Sequence, residues 1–391
     1  MHAASRDPSA ARAGRLLTAY AVPGLPEIQA GDDLALLCAR ALTAAGVELR
    51  DGDVLALASK AVAKAEGRVV PVASRADHEG LVLDQSTQLV AERRFPGGTV
   101  QVVRSLVGPV LAGAGIDASN LPDGQRLLLP AAPDRAAEAL RAALSERFGV
   151  RLAVVITDTA GRPWRRGQAD YALGAAGLEC LRDHRGEEDS HGNRLAATQR
   201  AIGDEAAAAA DLVRGKSAGL PLAVIRGLEE HVREDAPGAA GLVQPPETDW
   251  FRYGHLEAVR RALRVPGGTV APPPADPDAE DFPERVERAL HTAMASRLPS
   301  PGTAAWTGRV LAGGAVIRFS PSGLPGSPAG EGNPGGSGDQ GGHPVMLATL
   351  GLSALVQRAL TALAAEELEA DVRYSWEPDG RPAACELHLT T

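Results

Sequence analysis

Short apolar runs alternate with amphipathic stretches from Leu16 to about Leu228. A short apolar run bounded by polar or turn-forming residues predicts a strand, and apolar residues that recur every three or four positions predict a helix. The predicted strands are Val54–Ala58, Thr99–Val103, Leu152–Thr157 and Leu222–Arg226, and the predicted helices are Asp33–Ala45, Asp134–Arg147 and Leu195–Val213. The mixture indicates one compact unit of strands and helices.

The character of the sequence changes after Gly227, where a charged stretch is followed by glycine and proline, and we place a domain boundary near residue 245. Helices are predicted at His255–Leu263, at Glu284–Ser296 and from about Pro344 to Glu369, and a hairpin of two strands around Glu377–Gly380. Residues 323–343 are rich in glycine, proline and serine, which predicts a flexible loop. The expected division is a disordered segment 1–15, a domain 16–245 and a small α+β extension 246–391.

Composition excludes several classes of protein. The chain has 391 residues, with 40 basic and 49 acidic side chains and a net charge of -9, which argues against a nucleic-acid partner. The three cysteines are far apart, so neither a disulfide framework nor a thiolate metal site is expected. We find no export signal and no apolar stretch long enough for a membrane span, and we expect a cytoplasmic protein.

Four segments place polar groups near predicted strand ends, where ligand sites usually form. The first is Gly24-Leu25-Pro26-Glu27-Ile28, followed by Gly31-Asp32-Asp33. By itself it also fits an ordinary turn that leads into a helix capped by Asp32.

The second segment begins where the apolar run VLALA ends in Ser59 and Lys60, with Lys64 four residues later. A hydroxyl and two ammonium groups at a strand end can hold a phosphate chain. Lysines on a solvated helix face are the alternative. However, the chain contains only three lysines, and two of them are here, the third being Lys216.

The third segment contains Asp117 and, three residues later, Asn120. A carboxylate and an amide among small residues suit a hard cation beside a nucleotide. An Asx turn, in which these side chains bond to their own backbone, is the alternative.

The fourth segment, VVITDTAGRPWRRGQADYALGAAG, begins with an apolar strand that we expect to deliver Asp158 and Thr159 to its carboxyl end, where Mg²⁺ and phosphates can sit. Three arginines follow at once and predict a site for a substrate anion: Arg162, Arg165 and Arg166. A surface cluster of salt bridges is the alternative.

Together these segments resemble the coenzyme F420-0:L-glutamate ligase family. The matching stretches, in order, are GLPEIQAGDDL, DGDVLALASKAVAKAEGRVV, AGAGIDASN, VVITDTAGRPWRRGQADYALGAAGL and LVRGKSAGLPLAVIRGL. The resemblance implies the α+β fold of that family, with mixed sheets, and a homodimer of interlocked subunits.

The resemblance also implies binding sites for GTP and for two divalent cations, Mg²⁺ or Mn²⁺, with room for K⁺. The implied nucleotide contacts are Leu25, Pro26, Glu27, Ile28, Ser59, Lys64 and Asn120, together with Gly215, Lys216 and Gly219 in the loop Arg214–Pro221. The implied cation ligands are Asp117, Asp158 and Thr159. Asp117, Asp158 and Lys64 form the implied catalytic set.

The implied reaction joins L-glutamate to F420-0, or to dehydro-F420-0, through an acyl phosphate made with GTP. Two other functions remain open on the residues: a nucleotide-dependent small-molecule kinase, and a non-catalytic nucleotide-binding scaffold. Some actinobacterial relatives carry an FMN-dependent, nitroreductase-like domain in this C-terminal position. Because residues 246–391 contain no Arg-Arg-Ser-x-Arg segment and are few for that fold, we expect a reduced unit without FMN.

Overall fold

The structure, a computed structural model, describes residues 16–216, 218–274, 276, 279–298, 306–311, 315–321, 342–378 and 382–390. Three expectations therefore lie wholly or largely outside the described residues: the disordered segment 1–15, the loop 323–343 and the turn at Asp379-Gly380. By its internal contacts the chain divides into two compact units. Residues up to Gln88 and Val103–Asp249 belong to the first unit, and Leu89–Val102 and the residues from Trp250 onward belong to the second.

The first unit contains most of the strands. Its helices are α1 (Leu34–Ala44), α2 (Ser59–Ala65), α3 (Arg75–Asp84), α4 (Pro133–Phe148) and α5 (Ile202–Arg214). Its strands are β1 (Thr18–Val22), β2 (Val54–Ala58), β3 (Val69–Pro71), β4 (Ser86–Phe95), β5 (Gly98–Ser105), β6 (Val110–Ala112), β7 (Gln125–Leu127), β8 (Ala153–Arg162), β9 (Arg165–Ala176), β10 (Arg182–Asp183), β11 (Gln199–Arg200) and β12 (Leu222–Arg226), the outer parts of β4 and β5 lying in the second unit.

A mixed sheet of five strands, in the order β1-β12-β2-β8-β9, forms the centre of the first unit. The β2–β8 pair is parallel, and the other neighbours are antiparallel. Alternate residues of β2 point to opposite faces, as the period of a strand requires. Leu55 and Leu57 enter the core shared with α1 and α4, whereas Val54 and Ala56 enter the core shared with α5. The expected mixture of helices and mixed sheets is confirmed.

Close packing of α4 on the sheet depends on one glycine. A Cβ atom at Gly174 in β9 would lie 2.4 Å from the backbone carbon of Pro133, the first residue of α4. The side chain of Asp134 fixes the same junction by accepting a hydrogen bond of 2.8 Å from the backbone N–H of Ala175. These contacts hold β9, and with it β8, in place behind the cleft described below.

Most of the predicted elements of the first unit are confirmed, and three details were wrong. The strands Val54–Ala58 and Leu222–Arg226 have the predicted bounds. The helix expected to start at Leu195 begins only at Ile202, because Gln199 and Arg200 pair as a short strand instead. The cap of α1 is Asp33, whose side chain accepts from Leu36 N–H, while Asp32 accepts from Gln29 N–H. The strand expected to end at Thr157 continues to Arg162.

The second unit has helices and an antiparallel sheet of its own. The helices are α6 (His255–Ala262), α7 (Phe282–Met294) and α8 (Gly342–Ala365), and the strands are β13 (Trp306–Leu311), β14 (Val316–Pro321), β15 (Glu369–Trp376) and β16 (Pro382–Thr390), in the sheet order β13-β14-β16-β15. The predicted helix at Pro344–Glu369 ends earlier than expected, at Ala365. The core of the second unit contains Phe319, Ile317 and Leu387, which are completely buried.

Residues 89–102 were expected within the domain 16–245, but they lie with the second unit. Arg93, in β4, forms an ion pair with the carboxylate of Glu257 at 2.9 Å, and the backbone N–H of Gly254 donates to the carbonyl of Val90 at 2.8 Å. The tip of the β4–β5 hairpin is therefore held by the residues that follow Asp249.

Candidate active site

A cleft of about 360 Å³ opens in the first unit at one edge of the central sheet. The parallel strands β2 and β8 point their carboxyl ends toward this edge, and β12 begins there after the loop 215–221. Because β2 stops at Ala58 while β8 continues, β2 does not pair with β8 from Asp158 onward. Carboxyl ends of parallel strands are a common position for ligand sites in sheets covered by helices on both faces.

Twelve of the residues expected to bind ligands line this cleft: Leu25, Pro26, Glu27, Ile28, Ser59, Lys64, Asn120, Asp158, Thr159, Gly215, Lys216 and Gly219. They come from five segments that are distant in sequence. Lys60 lines it too, so all three lysines of the chain face one cleft. The alternative for the second segment, lysines on a solvated helix face, does not account for this arrangement, because such lysines would extend into solvent and not into one cleft.

Asp158 is held by the first residue of α2. The Ser59 hydroxyl, itself buried, donates to Asp158 Oδ1 at 2.9 Å. Burial raises the pKa of Asp158 to about 6, although the hydrogen bond from Ser59 and the charge of Lys60 act in the opposite direction. A carboxylate whose charge is this poorly compensated is ready to accept a cation.

On the other face of the β8–β9 pair, Asp170 organises a network of hydroxyls. Its Oδ1 accepts from Thr159 Oγ1 at 2.6 Å, and its Oδ2 accepts from Thr157 Oγ1 at 3.0 Å and from the guanidinium of Arg214. Lys216 Nζ donates to Thr159 Oγ1 at 2.8 Å. Since the Thr159 O–H donates its hydrogen bond to Asp170, the hydroxyl oxygen presents a lone pair to the ammonium of Lys216.

Lys64 connects the glycine-containing loop after β1 with the third segment. Its ammonium forms an ion pair with Glu27 and donates to the backbone carbonyl of Asn120 at 3.3 Å. The Lys64 side chain is 13% exposed, whereas that of Glu27 is 71% exposed. A carboxylate this exposed can leave, so the ammonium can be offered to a phosphate group without loss of core packing.

Asp117 does not line the cleft, but it forms an ion pair with Lys60, which does. The Lys60 ammonium forms an ion pair with Asp117 and donates to Ser119 Oγ at 2.6 Å. Asp117 Oδ1 also accepts from the backbone N–H of Ser119 at 2.9 Å, which is the Asx turn considered above. Burial acts to raise the pKa of Asp117, but the hydrogen bonds from Lys60 and Ser119 outweigh it and lower the pKa.

The structure does not place the three arginines beside Asp158 and Thr159, and their expected binding of a substrate anion stays a prediction. Arg162, Arg165 and Arg166 are exposed at the tip of the β8–β9 hairpin and do not line the cleft. The reason is that β8 continues past Asp158 instead of ending there. Four further residues of strand place Arg162 roughly 13 Å beyond Asp158, at about 3.3 Å per residue.

Sequence reasoning missed several residues that line the cleft: Thr157, Asp170, Asp211 and Arg214. Asp170 lies within the fourth segment, but β9 was not predicted as a strand, so its orientation was not accessible. A single carboxylate between Ala169 and the apolar stretch YALGAA is the signal that could have found it. Charged groups are rarely buried in strands unless they are paired.

The donor atoms near the cleft are hard oxygens, which fit Mg²⁺ or Mn²⁺. In the ranges that the structure describes, however, no group of three or more His, Cys, Asp or Glu side chains is arranged to hold a metal ion. Mg²⁺ usually binds one or two carboxylates and completes its shell with water and substrate phosphates. The carboxylates Asp158 and Asp117, with the Thr159 hydroxyl, fit a site of this kind, in which the protein supplies only part of the coordination shell.

Comparison with known proteins identifies this arrangement. Residues 24–227 match the family described as F420-0:Gamma-glutamyl ligase. The chain belongs to the F420-0:gamma-glutamyl ligase family. The match begins at the loop that carries Glu27 and ends just after β12, so it includes every segment that lines the cleft.

Named relatives of this family align with about 60% of the chain. A "Coenzyme F420:L-glutamate ligase" of Methanothermobacter thermautotrophicus is 39% identical over 245 residues, which cover 59% of this chain and 97% of the relative. Proteins of the same name from Haloarcula marismortui and Halobacterium salinarum are 38% and 42% identical, covering 63% and 60% of this chain and 96% and 95% of the relatives. The relatives are thus matched over almost their whole length.

One further finding concerns membranes. Among the described residues, no helix combines the length and the apolar character that a membrane crossing requires.

Proposed function

We propose that this protein joins L-glutamate to coenzyme F420-0, or to its dehydro form, in a GTP-dependent reaction. The observation that carries the proposal is the cleft itself, in which all three lysines of the chain meet Asp158 and Thr159. Three ammonium groups beside a carboxylate suit a nucleotide triphosphate with its divalent cation. The relatives named coenzyme F420:L-glutamate ligase support the choice of acceptor and amino acid.

The proposed chemistry proceeds in two steps. A carboxylate oxygen of F420-0 attacks the γ-phosphorus of GTP, and GDP leaves with the electrons of the broken P–O bond. The amino group of glutamate then attacks the acyl carbon and a C–N bond forms. Inorganic phosphate leaves with the electrons of the broken C–O bond, and the nitrogen releases one proton to solvent. No covalent intermediate with the protein is required, so the protein acts by positioning and by charge.

Each group of the cleft has a role in this proposal. Lys64 and Lys216 neutralise phosphate oxygens, and the loops 24–28 and 215–219 line the nucleotide position. Asp158, Thr159 and Asp117 are the residues that would hold divalent cations. Such cations, when bound, stabilise the negative charge that develops on the transferred phosphoryl group. Asp170 keeps Thr159 oriented by accepting the hydrogen bond of its hydroxyl.

One incubation tests the proposal. Purified protein is mixed with GTP, Mg²⁺, L-glutamate and F420-0, and the products are read by mass spectrometry for an added glutamyl unit and by assay for released phosphate. We expect both products, and we expect phosphate release to stop when glutamate is omitted. Phosphate transfer to F420-0 without glutamate incorporation would identify a kinase instead. Nucleotide binding without either product would identify a non-catalytic scaffold.

We further propose that residues 246–391 do not bind FMN and that the protein forms a homodimer. Absorption spectra of the purified protein test the first point, since bound FMN absorbs near 450 nm and the protein alone does not. Analytical ultracentrifugation tests the second. Stoichiometric flavin or a monomer at micromolar concentration would contradict the respective proposal.

A further inference from the structure

In the function as proposed so far, Lys60 only adds to the positive charge of the cleft, although it lies between the cleft and Asp117. It is the second residue of α2 and follows Ser59, which holds Asp158. Its ammonium contacts Asp117 and Ser119, and its side chain is 33% exposed. Lys60 is therefore a partly exposed positive charge between the cleft and Asp117, one of the proposed cation ligands.

The carboxylate of Asp117 is almost fully engaged by these neighbours. Oδ1 accepts from Ser119 N–H at 2.9 Å, and Oδ2 accepts from Ser119 Oγ at 2.8 Å and from the Lys60 ammonium. A carboxylate offers about four lone-pair positions, so at most one remains. A divalent ion that coordinates Asp117 Oδ2 competes directly with Lys60, since two cations at one oxygen repel each other strongly at such distances.

The two hydrogen bonds from Ser119 differ from the Lys60 contact in one respect. They are local, because Ser119 follows Asp117 by two residues, and they hold the carboxylate in one orientation whatever occupies its other side. The Lys60 contact joins residues that are 57 positions apart and ends in a flexible chain of four carbons. Of the three contacts, the ammonium is the one that can move away without unfolding the loop.

We propose that Lys60 is a resident counter-ion of Asp117 that a divalent cation replaces, and that the released ammonium turns into the cleft to bind phosphate oxygens. This inference rests on the proposed function, because it assumes a phosphate ligand and a divalent cation. The exchange keeps a positive counter-charge beside Asp117 at each stage, and phosphate oxygens offset the extra positive charge that the divalent ion brings. The exchange also couples the two ligands. The cation binds more weakly when no phosphate group is present to bind the released ammonium, and by linkage the phosphate ligand binds more weakly without the cation.

The test measures Mn²⁺ alone, without nucleotide or turnover, by the electron paramagnetic resonance signal of the free ion. We expect Lys60→Met, which keeps the length of the side chain and removes its charge, to bind Mn²⁺ about 10-fold more tightly than the wild type, within the usual range of coupling between sites. Lys60→Arg keeps the charge and should stay within about threefold of the wild type on the same scale. Lys64→Met is the matched control, because it removes a second cleft ammonium of the same helix that contacts Glu27 and not Asp117.

A second titration measures GDP binding by calorimetry with and without Mn²⁺. In the wild type Mn²⁺ should strengthen GDP binding, and in Lys60→Met this strengthening should shrink. Melting temperatures of all variants identify any that fail to fold, in which case Lys60→Gln replaces Lys60→Met.

Mn²⁺ affinity that is equal or weaker in Lys60→Met, or equally raised in Lys64→Met, would overturn the exchange. So would a lack of Mn²⁺ binding in both wild type and Lys60→Met. The ligation assay of the wild type is read separately, so failure of the exchange leaves the proposed function standing, while failure of ligation does not alter the Mn²⁺ result.

Discussion

Arg214 and Asp170 form an ion pair in the lining of the cleft, with side chains only 5% and 6% exposed. Arg214 is the last residue of α5, and Asp170 lies in β9, so the pair ties the start of the loop 215–221 to the strand beside Asp158. Arg214 also donates to Thr157 Oγ1 at 2.7 Å and to the carbonyl of Pro221 at 3.3 Å. The guanidinium therefore holds both ends of that loop.

Breaking this pair from one side should be costly. Asp170→Asn leaves the buried guanidinium without its counter-charge, and we expect the free energy of unfolding to fall by about 3–5 kcal/mol, measured by urea denaturation. Adding Arg214→Gln to the same chain removes the unpaired charge, so the double variant should lose less stability than the sum of the two single variants. Losses below about 1 kcal/mol in both single variants would show that the pair is not a structural anchor.

The raised pKa of Asp158 predicts opposite effects on stability and on cation binding. Its pKa of about 6 in the folded chain lies above the ordinary value of 3.8, so the folded state binds more protons than the unfolded state between these values. The stability contributed by this group is therefore full below pH 4 and is lost as the pH rises to 6. Cation binding needs the ionised form and should fail as the pH falls below 6.

Asp158→Asn separates these two effects. The amide can still accept from Ser59 and carries no charge to bury. The ligand-free variant should therefore melt at pH 7.5 at the same temperature as the wild type or higher. Ligation should fall by roughly 100-fold or more, as when a charge-stabilising group is removed from an active site. Asp204→Asn is the matched control, because Asp204 is another carboxyl of this unit whose pKa is raised mainly by burial, and it lies outside the cleft. Near-normal ligation by Asp158→Asn would contradict its assignment as a cation ligand.

Truncation after Asp249 tests whether the first unit is sufficient for ligation. The family match ends at residue 227, and the archaeal relatives align over almost their whole length with only about 60% of this chain, so we expect measurable ligation by residues 16–249. We also expect a lower melting temperature, because residues 89–102 lose Glu257 and the other partners that hold them. Replacing the hairpin tip 90–101 by a short Gly-Asn turn in the same fragment should recover part of that loss.

Two outcomes of the truncation would contradict the expectation. A fragment that folds, by circular dichroism, but does not ligate would place an essential residue after Asp249. A fragment that stays unfolded with and without the hairpin replacement would show that the two units fold together.

The sequence predicted best what depends on local pattern. β2 and β12 were placed to the residue because each is a continuous apolar run between polar or turn-forming neighbours. β9 was missed because its first half, Arg-Arg-Gly-Gln, is polar and its second half is rich in alanine and glycine, which carry little strand preference. The second-unit position of 89–102 was also missed, since it depends on contacts with residues more than 150 positions later.

The candidate site shows the same limit. The twelve cleft residues that the family motifs carry were found, whereas the Asp170–Arg214 pair joins residues 44 positions apart on elements with no motif linking them. The arginines at the hairpin tip were misplaced because the end of a strand is poorly marked when polar residues continue its alternation. Long-range pairs and strand ends depend on tertiary packing, which a single sequence does not display.

The contact between Lys216 and Thr159 leads to the last prediction. Lys216 Nζ lies 2.8 Å from Thr159 Oγ1, whose O–H donates its hydrogen bond to Asp170. The ammonium therefore occupies a position that a second cation would otherwise take. We therefore predict that one divalent cation binds through protein carboxylates and that a second binds chiefly through Thr159, water and the nucleotide.

Lys216→Ala should raise the KM for GTP about tenfold, the effect of losing one charge-assisted hydrogen bond. Lys216→Glu should make activity depend more steeply on Mg²⁺ concentration, since a carboxylate there attracts the second ion that the ammonium repels. Lys216→Arg, which keeps the charge, is the control for both titrations. If the GTP and Mg²⁺ titrations of the Ala and Glu variants match those of the wild type, Lys216 is a solvated loop residue and the second cation position does not depend on it.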